Sequence, residues 1–195
     1  MGKIRSAWEI ALEKTENIQV DREKLKLEED IKKARRAAGA FLNDEENKGE
    51  SLEDDLNAIG NDKAVREGVK KLTVLQNLTL PQDTVLTDRY ERLTALVALI
   101  AGQTSQAVEL MGQITGFCRQ YPEHRKQLID QLKEQFAPMA EQKAAQLRAQ
   151  YGQDVPVSLE NDPEFLKLAQ TQLDRLSKQY NDTLEGAKAQ LSTLL

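Results

Sequence analysis

The sequence predicts an all-α protein: an elongated antiparallel helical bundle of three long helices, preceded by a charged helical N-terminal arm. Three observations predict it. Apolar residues recur at helical spacing in almost every segment. Prolines and glycines stand where those segments should end, at Pro81, Pro122, Gly152 and Pro163. Charged residues make up 30% of the chain against 39% hydrophobic and only 5% aromatic, so much of the surface must be solvated.

The arm, residues 1–80, is read first. Ser6 and Glu9 form a capping-box pattern ahead of Ile10 and Leu12. Asp21 is placed to open a second helix, with Leu27, Ile31, Ala34, Ala38 and Phe41 on one face. Residues 43–50 read as a loop. Ser51 with Asp54 opens a short helix, and Asp62 opens another carrying Val65, Val69, Leu72 and Leu75. Charge swings sharply along this part: net +2 over residues 1–40, −7 over 41–62 and +3 over 63–82. The rest is milder and rich in Gln and Ala. That shift, together with Pro81, sets a boundary between residues 1–80 and 81–195, because a proline biases the residue before it away from helix.

The bundle, residues 81–195, contains three helical patterns. The first starts at Asp83 and runs to about Tyr121. Leu86, Tyr90, Leu93, Val97, Ile100, Thr104, Ala107, Met111, Ile114 and Cys118 alternate spacings of four and three, a heptad seam. Residues 93–101 are apolar on nearly all sides, which places Val97 and Ile100 between two neighbours. Ala98, Ser105 and Gly112 make one flank of the seam small enough for a close helix approach. Pro122 fits the first position of the next helix, which carries Ile129, Leu132, Phe136, Ala140, Ala144, Leu147 and Tyr151. Pro138 should kink that helix and Gly152 should stop it. Asp162-Pro163, an N-cap followed by a first-turn proline, opens the last. Its stripe runs through Leu166, Ala169, Leu173, Leu176, Tyr180, Leu184, Ala187, Leu191 and Leu194. Short connections make sequential helices antiparallel.

The chemistry-bearing residues are few. Cys118 is the single cysteine and permits no internal disulfide. His124 is the single histidine, so no zinc or di-iron ligand set is available, and no metal and no cofactor is expected. Residues 44–55 loosely follow a calcium loop, but Lys48 occupies a ligand place and Asp55 stands where a bidentate Glu belongs. No glycine-rich phosphate loop and no triad appear, so the expectation is that the protein is not an enzyme. No signal-peptide pattern or spanning stretch is present either, and the expected location is the cytoplasm.

Lys32, Lys33, Arg35 and Arg36 form the dense basic run and carry the alternative reading, a regulator that contacts nucleic acid. Glu28 and Glu29 stand at i,i+4 from Lys32 and Lys33, and no aromatic residue interleaves to stack on bases. Trp8 with Ile4 and Leu12 makes a small apolar face, but Glu9, Glu13 and Glu16 beside it oppose an anionic membrane.

The opening Gly2-Lys3-Ile4-Arg5-Ser6-Ala7-Trp8-Glu9-Ile10-Ala11-Leu12-Glu13-Lys14-Thr15, then Val20-Asp21 and residues 37–42, resembles an uncharacterised family of bacterial proteins. There a short start of this type precedes a charged helix ending in an Ala-x-x-Phe/Tyr-Leu pattern. The resemblance covers about the first 45 residues. It implies a bacterial origin and carries no catalytic residue.

The expected function is that of a non-enzymatic helical scaffold or protein–protein interaction module. Neither arm helix can bury its apolar face alone. Ile4, Trp8, Leu12, Ile31, Ala38 and Phe41 are therefore the expected contact surface for a protein partner or for a second copy in a homo-oligomer.

Overall fold

A computed structural model describes residues 7–43, 52–81, 87–152 and 161–195. All regular structure among them is helical, with no strand. Six α-helices follow in order: α1 (Ala7–Asn43), α2 (Leu52–Asn57), α3 (Asp62–Lys70), α4 (Thr87–Ala101), α5 (Gln106–Tyr151) and α6 (Pro163–Leu194). A π-helical segment, Lys71–Asn77, continues α3 directly. The chain forms two compact units. One takes in Met1–Leu78, Arg89–Glu109 and Leu191–Leu195; the other takes in Thr79–Asp88 and Leu110–Gln190.

In the first unit α1 is the long element, and it is one helix where the sequence suggested two. Asp21 lies inside it rather than at its start. Its face of small residues packs on α3. Ala34 and Ala38 are fully buried, as are Ala64 and Val69 of α3. Gly68 marks the crossing. A Cβ there would stand 2.6 Å from Ala34 Cβ and 2.9 Å from the Ile31 carbonyl oxygen, a distance that no side chain tolerates. Of the stripe read from the sequence, Val69 is fully buried, while Val65 and Leu72 are only half-buried. Ala64 and Gly68 join Val69 in the contact, because the two backbones come too close at Gly68 for a larger residue. Asn61, one residue before the expected start, caps α3 by accepting the Ala64 amide at 3.1 Å.

From Arg89 onward α4 belongs to the first unit, whereas the sequence grouped it with the bundle. Leu93, Leu96, Val97, Ala98 and Ile100 are all buried, as the apolar run implied. Arg92 donates to the carbonyls of Phe41 (3.4 Å) and Leu42 (3.3 Å), satisfying two of the orphan acceptors at the end of α1 and placing a cation at its negative pole.

The long helix expected over residues 83–121 is broken. Gly102 takes φ 91°, and its amide bonds to the Ala98 carbonyl at 2.9 Å, ending α4. Ser105 then caps α5, its hydroxyl accepting weakly from the Val108 amide at 3.4 Å. Thr104, assigned to the seam, is exposed in this turn. The heptad phase is unchanged across the break, with Ile100 and Ala107 buried on either side, which is why periodicity alone passed over it. Gly112 has nothing within 4 Å of a Cβ position, so no close approach is made there, while Ala98 of the same flank is buried.

In the second unit α5 and α6 pair as an antiparallel hairpin. Tyr121 meets Ser177, His124 meets Tyr180, Phe136 meets Phe165 and Lys143 meets Asp162. Helix α5 runs through both Pro122 and Pro138, so Pro122 opens no new helix. Its seam with α6 continues past each ring, and packing of that seam outweighs the lost amide. Leu132, Phe165 and Ala169 form a buried cluster with Leu128, Ile129, Phe136 and Leu168 around it. Leu173 and Leu176 are half-buried, not fully, and Leu166 is 50% exposed, with Phe165 taking the seam position instead. Two helices cover less of a stripe than the three-helix arrangement the sequence suggested. Both predicted hairpin termini hold. Gly152 (φ 67°) ends α5, and Asp162 caps α6.

Candidate interaction surface

The basic run sits on the exposed side of α1, but helix geometry divides it. Arg35 turns toward the π segment and donates to Gln76 at 3.0 Å. Lys33 and Arg36, three apart, face α2 instead, and Lys32 is exposed. The sequence paired Lys33 with Glu29. The structure gives it Asp30 at 3.2 Å. That carboxylate is 5% exposed while Lys33 is 62% exposed, so a buried acid holds a surface cation. Asp30 Oδ2 is buried without a hydrogen-bond partner among the described residues.

Lys33 and Arg36, with Ala37 and Ala40, form one wall of an open groove of about 420 Å³. Asp55 of α2 with Ala58 and Ile59 just beyond it forms the other. Three alanines keep the floor close to the backbones. The rim carries two cations on one side and a carboxylate on the other. The sequence marked Lys33 and Arg36 only as part of a basic run. The facing residues 55–59 could not be found without knowing that α2 folds back against α1.

The six residues expected to meet a partner fare differently. Ile4 lies outside the described residues, and Trp8 and Leu12 are described only as helical. Ile31 and Phe41 are half-buried. Ala38 is fully buried inside the first unit, so it has no surface to offer while α1 stays docked.

The second unit gathers the chain's single histidine and single cysteine around one side chain, a juxtaposition the sequence did not reveal. Tyr180 shares a hydrogen bond of 2.5 Å with His124 Nδ1 and stacks on Phe117 with centroids 4.6 Å apart. Tyr121 tilts against it at 5.0 Å, with the Arg125 guanidinium 5.8 Å from the Tyr121 ring. Burial, and secondarily the neighbouring Cys118, push the Tyr180 hydroxyl above the ordinary phenol range. Cys118 is fully buried, which closes it to a substrate. The geometry is that of an aromatic lock between two helices. At the far end of the hairpin the Lys143 ammonium holds the Asp162 carboxyl below the usual carboxylate range, helped by the Glu164 and Phe165 amides.

Among the described residues no group of His, Cys, Asp and Glu could hold a metal ion, and no helix is long and apolar enough to cross a membrane. The class defined is a helix-rich all-α protein without a recognisable catalytic or metal-binding constellation among those residues. Within that class the chain belongs to the Family of unknown function (DUF6657), which matches residues 53–193. The match lies beyond the N-terminal motif that carried the resemblance to a bacterial family. No curated protein and no solved structure matches the chain.

Proposed function

We propose that the protein works in the cytoplasm as a non-enzymatic helical interaction module, with the groove between α1 and α2 as its working surface. The observation that carries this reading is the combination of a small-residue floor with opposed charges on its two walls. Such a surface offers shape, partial burial and orientation to another helix, and it lacks the nucleophile–base pairing that catalysis needs. The division of the basic run supports a protein partner over nucleic acid, since Arg35 is engaged with Gln76 and Lys33 with Asp30, which leaves the run no continuous row of cations for a phosphate backbone.

Affinity purification of the full chain from its native cell, followed by mass spectrometry, tests the proposal when run beside an Ala40→Arg chain. A partner held by the native chain and lost with the filled groove is the expected result. A set of partners unchanged by Ala40→Arg would remove the groove from the function.

A further inference from the structure

We infer that the occupant of this groove is a second copy of the chain, docked about a two-fold axis; the inference rests on the interaction-module reading and names its partner. Lys33 and Arg36 lie on the α1 wall and Asp55 on the opposite one. An acidic segment would meet Asp55, and a basic one would meet Lys33 and Arg36. The groove needs a partner with the same two signs in reversed order. A two-fold rotation supplies that order by construction, because each wall of one copy then faces the opposite wall of the other. Arg36 of each copy pairs with Asp55 of the other, while Lys33 stays with its own Asp30, and the small Ala37, Ala40 and Ala58 let the backbones approach.

A groove of this volume holds a few side chains, less than the ~800 Å² per partner of a standard interface. The face continues, however. On the same side of α1 it runs through the exposed Glu29 and Lys32 to Leu25, three helical turns before Arg36 and, at 60%, the most exposed large hydrophobic among the described residues. It adds an apolar contact at the far end of that charged stretch.

Sedimentation velocity on the full chain, across protein concentration and salt, tests the inference. The native chain is expected to form a dimer that weakens as salt screens the opposed charges. Arg36→Glu and Asp55→Arg, each placing like charges face to face, should each weaken dimerisation on the order of tenfold or more. The double variant restores opposite signs and should restore the dimer. Both positions are surface-exposed, so circular dichroism should report native helix content throughout. Ala40→Arg provides a steric version of the same test. A native chain that stays monomeric, single variants that dimerise normally, or a double variant that stays monomeric would each overturn the self-pairing. A monomer whose protein partners are still lost with Ala40→Arg would overturn it while leaving the interaction-module reading standing.

Discussion

Gly68 shows how a residue without a side chain decides an interface. The added methyl in Gly68→Ala would run into the Ile31 carbonyl oxygen, which is backbone and cannot swing away. Its higher helix propensity does not compensate, and the substitution is expected to cost about 1–3 kcal/mol in a denaturant titration. Gly112→Ala provides the opposite case. With open space around it and an ordinary helical setting, alanine there should stabilise by up to about 1 kcal/mol. The sequence marked Gly112 and passed over Gly68, because a glycine's meaning depends on what faces it. Tyr180 yields a second expectation at this scale. Its raised folded-state pKa means that its stabilisation is fully present below the unfolded value of about 10 and is lost as pH rises through the folded one. An absorbance titration of the tyrosines should therefore contain a late step, and Tyr180→Phe should remove that step.

At the element scale, the end signals were legible wherever chemistry and position coincided. Asp162-Pro163 and Gly152 were readable because an N-cap, a first-turn proline and a left-handed glycine each satisfy a local backbone need. Pro122 misled, since a proline marks a helix start only when no tertiary seam carries the helix past it. Gly102 was hidden by an unbroken heptad phase. The groove was half legible: its cations stood out in the sequence, while its second wall depends on a tertiary fold-back. Asp162 offers a test of its cap. Its carboxyl is held below its ordinary range by Lys143 first and by the Glu164 and Phe165 amides after it. Its contribution is therefore present above the unfolded carboxylate value and lost as pH falls through the depressed folded one. Urea unfolding across the acid range should show that loss. Asp162→Asn keeps a good N-cap but no charge, and it should flatten this part of the pH profile.

At the scale of the whole molecule, the C-terminal half of α1 is a structural part of the first unit. Ala34, Ala38 and Leu42 are buried there, and removing them uncovers the α3 face around Gly68. Deletion of residues 1–42 should abolish cooperative unfolding of this unit, which hydrogen exchange of the α3 and α4 amides would report as lost protection. The same unit also includes Leu191–Leu195, with Leu191 fully buried. That membership has a consequence for biosynthesis. A ribosome makes α1 to α4 first, at roughly 5–20 residues per second, and domains ordinarily fold as they emerge. Here the nascent helices wait through the translation of all of α5 and nearly all of α6 before Leu191 arrives. Until then the surface that Leu191 covers stays open, and a message cut short before codon 191 leaves its defect in the part of the protein that was translated first.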